Sequence, residues 1–338
     1  MKTITSKTIL MLLTGAFLVL LFNSCTKDPV IPEDETKNKL HEDPAKVTVR
    51  LVECSLHADW NEIQTNGGPH QHPEAPARHI KRIQDITYEL KAGQGWTLAE
   101  GSQKKFYVQK NGEYKNQGRF TPAPVYLMFI YYYNAKGELM NNQFVENGQE
   151  NIHQHFFTPE NIKPTFDGQI EADDNDPQKL IDYLYVDTTP WDKTYHSGEA
   201  EITGRDNPVG LKGIIRFLKD RKEFDLKVRL YHGYESKKNP QTGTFDPFYK
   251  PSGVLIQRGT WDINLNLPVV VFWSREEFID IDEEANLEKV GEDSLDEGSN
   301  RTVHSIMETF NLTWKEALEE FITYTYKAGD AEGGAIWL

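Results

Sequence analysis

A mainly β protein made of two antiparallel β-sandwich modules, immunoglobulin-like in kind, is the fold that three features of the 338-residue sequence predict. Apolar and polar residues alternate in Val47–Leu51, where Val47, Val49 and Leu51 flank Thr48 and Arg50, and the same pattern returns through Ile86, Tyr88 and Leu90 and through Phe224, Leu226, Val228 and Leu230. Successive strand side chains point to opposite faces, so this period buries one face and wets the other. Val125–Tyr133 is a run of nine apolar and aromatic residues, the composition of a central strand covered on both faces. No long amphipathic helix interrupts residues 47 to 160. Helical signals are confined to a short bridge and to the C-terminal tail.

The chain opens with Lys2 and Lys7 before the apolar run Ile9 to Phe22, then Asn23-Ser24-Cys25. A charged start, a short apolar middle and a small residue at the cut predict a signal peptide over residues 1–24, too short to span a bilayer, which takes about 20 apolar residues. Cysteine at that junction resembles the lipobox of bacterial lipoproteins, which implies lipidation of Cys25; the alternative is a plain secretory signal cut near Ser24. Residues 25–46 are rich in Pro, Asp, Glu, Lys and Asn, and are expected to form an extended tether.

The first module is expected over residues 47–165. After the strand around Val49, the loop Asn66-Gly67-Gly68-Pro69-His70-Gln71-His72-Pro73 is too rich in Gly and Pro to be an element, and a second strand follows around Ile86. Phe106 to Val108 leads into Asn111-Gly112, which reads as a tight hairpin turn. Asn134-Ala135-Lys136-Gly137 turns the central strand back. Strands over Leu139 to Val145 and Ile152 to Thr158, joined by an Asn147-Gly148 turn, complete the module. Residues 166–275 supply a bridging helix and a second β module. Asp176-Pro177 is a helix start, with aspartate as cap and proline at the first position, and the helix is expected over Gln178 to Tyr185. Strands follow at Phe224 to Leu230, ending in His232, and at Trp261 to Trp273. Val49-Arg50-Leu51 matches Val228-Arg229-Leu230, and Asp85-Ile86 with Leu90 matches Asp262-Ile263 with Leu267, a correspondence that raises a duplicated sandwich beside generic strand patterning.

Residues 276–338 form the tail. Between Glu276 and Glu297 stand eleven acidic residues and one lysine, a self-repelling run that reads as an open linker. Ser299 or Asn300 is placed to cap a helix through Phe310, and Thr313-Trp314-Lys315-Glu316 is a capping box for a second helix to Tyr326. Trp314, Leu318, Phe321 and Ile322 give that helix one apolar face, for docking on the β region or for a partner.

The net charge is −15, and removal of residues 1–24, which hold two lysines and no acidic residue, leaves −17. A field of that sign disfavours nucleic acid as a partner and attracts cations. Cys25 and Cys54 are the two cysteines; with Cys25 lipidated no intrachain disulfide remains, and Cys54 is expected as a buried thiol.

Among recognisable signatures of catalysis, the Gly-rich phosphate loop, the serine elbow, His-Glu-x-x-His and Cys-x-x-Cys are all absent from the sequence, which predicts a binding protein and no enzyme. Glu171, Asp173, Asp174, Asn175 and Asp176 lack the glycine and glutamate of a calcium loop, and capping is their expected role. Histidine placement stands out. His70-x-His72 lies in a loop of the first module, and His153-x-His155 lies on an expected strand, where residues two apart share a face. With His57, His79, Cys54 and His232, these are borderline-soft ligands suited to iron, zinc or copper, or to axial ligation of haem. The candidate metal ligands are therefore His57, His70, His72, His153, His155 and His232; His196 and His304 read as histidines that are simply hydrogen-bonded.

The chain resembles the lipoproteins that Bacteroides-type bacteria place beside a TonB-dependent outer-membrane receptor, in particular those of iron and haem acquisition loci. The resemblance rests on the lipobox, on Glu53-Cys54-Ser55-Leu56-His57 and Leu230-Tyr231-His232-Gly233, and on Asp173-Asp174-Asn175-Asp176-Pro177 and Pro190-Trp191-Asp192-Lys193 between them. Cys54 and Ser55 stand where such lipoproteins carry more histidine. It implies a protein lipid-anchored in the outer membrane and facing the cell exterior, which captures iron, haem or another transition metal and delivers it to the receptor. Neutral imidazole ligates and imidazolium does not, so capture is expected to weaken below the ordinary histidine pKa of about 6.5. The alternative is a glycan-binding surface lipoprotein of a polysaccharide-uptake locus, with Trp60, Trp96, Trp191 and Tyr131 to Tyr133 as stacking platforms. A third reading gives the C-terminal helices a structural partner.

Overall fold

A computed structural model describes residues 39–54, 83–116, 119–165, 168–195, 197–272 and 287–322. The expected signal, Cys25 and the histidines His57, His70, His72 and His79 lie outside the described residues. No helix among the described residues is long and apolar enough to cross a membrane. The described chain is mainly β, with open, largely antiparallel sheets.

A six-stranded sheet holds β1 (Lys46–Cys54), β2 (Ile83–Lys91), β3 (Gly95–Leu98), β7 (Val125–Tyr133), β9 (Ile181–Tyr185) and β12 (Lys212–Phe217), in the order β3-β2-β1-β7-β12-β9. A four-stranded sheet holds β4 (Phe106–Gln109), β8 (His153–Pro164), β13 (Lys222–Gly233) and β14 (Gly259–Phe272), in the order β4-β14-β13-β8, with β4 parallel to β14. Two small ribbons remain, β5 (Gly112–Asn116) with β6 (Arg119–Ala123), and β10 (Thr188–Thr189) with β11 (Glu201–Ile202).

The expected alternations set these strands. In β13, Phe224, Leu226, Val228 and Leu230 are all buried, and each contributes about 1.5–3 kcal/mol over an exposed side chain. Their neighbours across the ladders, Phe157 of β8 and Leu265 and Ile263 of β14, are buried with them. Val49 and Ile130 of the larger sheet belong to the same hydrophobic cluster as Leu230 and Ile263 of the smaller one. One core thus serves both sheets, and Tyr88 fastens them by donating from its hydroxyl to the Asn266 carbonyl at 2.6 Å.

Strands from residues 47–165 and 166–275 are interleaved in both sheets, so the expected division into two modules at residue 165 does not appear in the pairing. β12 lies beside β7, and β8 beside β13. The sheets also differ in strand number and order, so the correspondence between Val49-Arg50-Leu51 and Val228-Arg229-Leu230 extends no further than local pattern. Local pattern carries no signal for which distant strands meet.

Three local expectations are corrected. Asp176 does cap a helix, accepting from the Gln178 amide, but that helix, α1 (Pro177–Leu180), is one turn long and passes into β9. Ile181 and Tyr183 alternate with Asp182 and Leu184 and pack into the core as a strand paired with β12. Asn111-Gly112 is no hairpin, because β4 pairs with β14 and β5 with β6. Residues Leu139 to Val145 are no strand. The Asn141 side chain bonds the Tyr132 amide and the Ile130 carbonyl, taking the place of a neighbouring strand, and Asn141–Phe144 is a 3-10 turn. The turns at Asn134–Gly137 and Asn147-Gly148 form as expected, the latter with both residues at positive φ, 57° and 80°.

Beyond a short helix, α2 (Gly253–Ile256), the tail forms α3 (Glu297–Phe310) and α4 (Trp314–Ile322). Asp296 caps α3, accepting from the Ser299 amide, one turn earlier than expected. Thr313 and Glu316 form the expected reciprocal box at the start of α4. Val303, Ile306, Ala317 and Leu318 pack on Val270 and Phe272, so these helices dock on the end of β14.

Candidate metal centre

Four side chains converge at the end of the smaller sheet where β8 begins and β13 ends. His153, the first residue of β8, is paired across the ladder with His232 of β13, which puts both rings on one face with centroids 4.5 Å apart. Asp262 arrives through a bulge. Leu230 pairs with Ile263 and Tyr231 with Trp261, so Asp262 is the extra residue on β14. A bulge breaks the period-two parity of its strand and re-aims a side chain, and here Asp262 Oδ2 lies 3.2 Å from His232 Nδ1. The fourth residue, His41, comes from the segment ahead of β1, its ring centroid 4.8 Å from that of His153 and 5.3 Å from that of His232.

The donor atoms are close. His41 Nε2 is 3.0 Å from His153 Nε2, and Asp262 Oδ2 is 3.3 Å from His41 Nε2 and 3.5 Å from His153 Nε2. One ligand atom from each of the four residues lies within 4.8 Å of all the others. Burial is nearly complete, with His153, His232 and His41 at 0%, 1% and 7% exposure. Phe144 walls the site, its ring 4.6 Å from His41 and 5.3 Å from His153.

Tautomers follow from the outer hydrogen bonds. His153 Nδ1 is 2.8 Å from the Gln149 carbonyl, which the Asn147-Gly148 turn brings back beneath the ring, and His41 Nδ1 is 2.8 Å from the Glu42 carbonyl. A carbonyl only accepts, so each neutral ring carries its proton on Nδ1 and turns the Nε2 lone pair inward. Burial pushes His153 down to about 4, against the pull of Asp262, which keeps it neutral at pH 7. Burial pushes the Asp262 carboxyl up, but the surrounding His153, His232 and His41 rings outweigh it and hold the group well below the usual carboxylate range. Two lone pairs and a carboxylate oxygen thus face one another, and a cation between them is what stabilises such an arrangement. One proton satisfies a single contact at a time, whereas a metal ion satisfies all of them.

No protein family, curated protein or solved structure matches the chain. The chemistry of the donors is therefore what speaks for the site. Tetrahedral zinc with bonds of about 2.0–2.1 Å sets its ligand atoms roughly 3.3 Å apart, against 3.0–3.5 Å for four of the six separations here and at most 4.8 Å for the two between His232 and the other rings. Three imidazoles and a carboxylate suit zinc or another borderline divalent ion, and the carbonyls behind His41 and His153 are the outer partners such ligands ordinarily have.

Of the expected ligands, the structure brings His153 and His232 together. His57, His70 and His72 fall outside the described residues. His155 is a correction: it shares the face of His153 but sits one rung further along, where its Nδ1 faces the Val209 carbonyl at 2.8 Å and its Nε2 meets the Tyr132 hydroxyl at 2.6 Å. Both nitrogens are engaged in the core, and burial pushes the ring down to about 3. Cys54 is fully buried, with its thiol pushed up by burial, as expected of a core cysteine. His304 is a surface residue 3.2 Å from Glu292. His41 and Asp262 were not foreseen, one sitting in the expected tether and the other at a polar position of an alternating strand.

Two further features are spoken for. Glu171, Asp173 and Asp174 cluster, but Lys219 and Lys222 already fill the group, at 2.9 Å each from Asp174. Among the aromatic platforms, Trp191 is 6% exposed and Tyr132 fully buried, which withholds both from a glycan; Trp96, Tyr131 and Tyr133 are half-buried, with Arg50 over the Tyr131 ring and Lys46 over that of Tyr133, and Trp60 is outside the described residues.

Proposed function

We propose that this protein captures a divalent transition metal at His41, His153, His232 and Asp262 and releases it to a partner, with no bond chemistry. The observation that carries the reading is the convergence of three imidazole nitrogens and one carboxylate oxygen, buried and all within 4.8 Å of one another. Zinc or ferrous iron is the cargo these donors suit, for they include neither thiolate nor thioether. Haem suits them poorly, because its iron takes axial ligands on opposite faces of a flat macrocycle, and four donors crowded about one point leave no plane for it. The expected lipid anchor at Cys25 would hold the protein at the outer membrane facing the cell exterior, with a TonB-dependent receptor as the recipient; the sequence resemblance alone supports that setting.

The test is a titration of the unlipidated mature chain with Zn(II), Fe(II), Cu(II) and hemin, with bound metal read by elemental analysis. One equivalent of zinc or iron per chain is expected, and His153→Ala, His232→Ala and Asp262→Asn should each lower affinity by about tenfold or more. Hemin binding that survives all three substitutions, with no uptake of bare ions, would overturn the reading.

A further inference from the structure

Of the four donors, three stand on strands of one sheet, whereas His41 stands on residues 39–45, a strap that lies ahead of β1 and outside the ladders. Its downstream end is anchored, since the Ala45 amide donates to the Tyr133 carbonyl and the Leu90 amide to the Ala45 carbonyl, both at 2.8 Å. Its upstream part is held differently. The Glu42 amide donates to Gln143 Oε1 at 2.8 Å, Asn134 Nδ2 donates to Glu42 Oε2 at 2.9 Å, and the Leu40 amide reaches Gln149 Oε1 at 3.3 Å. Each of these contacts runs through a side chain, and Leu40, the apolar residue beside His41, is 66% exposed.

The strap is therefore fastened by four polar contacts, the fourth being Gln143 Nε2 donating to Glu42 Oε2 at 3.4 Å, by the His41 ring against Phe144 and by buried Pro44. We infer that residues 39–45 are a metal-dependent latch in which His41 is the exchangeable ligand, an inference that rests on the metal reading above. Closed, the latch supplies a fourth ligand and a cover. Open about Ala45, it leaves His153, His232 and Asp262 on the rigid sheet with one coordination position free, which separates a closed, retentive site from one that exchanges ligands. An incoming ligand from a recipient could then enter before the sheet residues let go.

The experiment follows zinc transfer from the mature chain to an excess of a chromogenic chelator. Glu42→Ala with Gln143→Ala removes three of the four latch contacts without touching a ligand, and should speed zinc release by about tenfold. His41→Ala should release faster still, yet bind one zinc per chain at saturating zinc; His153→Ala should lose affinity by about tenfold or more. In wild type, zinc should slow hydrogen exchange at the amides of residues 40–45 other than Pro44, which has none. Release from the double variant at the wild-type rate, loss of all zinc in His41→Ala, or exchange at residues 40–45 indifferent to zinc would each overturn the latch while the metal reading stands. Wild-type protein that takes up no zinc would overturn both.

Discussion

His153 and His155 are the same residue type on the same strand face, two positions apart, and their surroundings assign them different work. The first turns a lone pair toward three other donors; the second has both nitrogens bonded within the core. Tyr132→Phe separates the two, because it removes the hydroxyl that meets His155 Nε2 and leaves that nitrogen buried without a partner, at a cost of about 1–3 kcal/mol. The expected outcome is a lower unfolding free energy in denaturant with zinc stoichiometry unchanged, and loss of the metal in Tyr132→Phe would place His155 in the centre after all. The His-x-His spacing made the shared face legible, but a rung of the ladder, about 6.5–7 Å along a strand, decides whether two rings on that face meet one ion. His41 carried no such signal. It sits in a polar, proline-containing stretch whose composition reads as tether, and only the long-range placement of that stretch against Gln143, Gln149 and Asn134 brings it to the cluster.

At the scale of elements, what was legible was whatever a strand announces locally. The alternations of β1, β2, β13 and β14 and the apolar run of β7 all formed strands, and the Asn147-Gly148 turn formed where its left-handed residues require. The bulge at Asp262 was not legible, since one extra residue leaves the alternation of Trp261, Ile263 and Leu265 looking regular while re-aiming the carboxylate. Neither was the segment 208–212, which backs the site. Asp187 is buried and accepts four backbone N–H groups there, those of Val209, Gly210, Leu211 and Lys212, at 2.7–3.0 Å. Gly210 has φ 91°, and a Cβ on it would lie 2.9 Å from that of His155, so the segment presses on β8 as closely as glycine allows. The same stretch offers the Val209 carbonyl to His155 and the Pro208 carbonyl to the buried Lys237, whose Nζ also donates to the His153 carbonyl at 2.9 Å. Asp187→Ala would strand four amides together, and should cost at least about 3 kcal/mol in equilibrium unfolding; a change below about 1 kcal/mol would mean that the segment is held by its other contacts.

Among the described residues of this acidic chain, buried charge is met in two ways: Asp187 and Lys237 by backbone groups, and Lys222 by an ion-paired group that ties the approach to α1 onto the β12–β13 turn. Lys219 and Lys222 sit among Glu171, Asp173 and Asp174, and Lys222 is buried. Burial pushes the Asp174 carboxyl up, but the Glu171 amide and the Lys222 and Lys219 ammonium groups outweigh it and hold the group at about 2, below its ordinary 3.8. A carboxyl depressed by folding binds its proton less readily in the native state than in the unfolded chain, so the unfolded state gains protons first as acid is added. The stability contributed by Asp174 is therefore fully present above about pH 4 to 5, and is lost as pH falls through 3.8 toward 2. Thermal unfolding of the metal-free mature chain should show its midpoint dropping across that window. In Asp174→Asn the midpoint should be lower at pH 7, by the equivalent of about 1–3 kcal/mol for a buried partner left short of its charge, and the drop between pH 4 and pH 2 should be shallower than in wild type. The two curves converge at low pH, because the wild-type side chain is by then itself uncharged. Parallel curves across the window would mean that Asp174 is not the group whose protonation loosens the fold, and would move the acid sensitivity to the other depressed carboxyl of the core, Asp262.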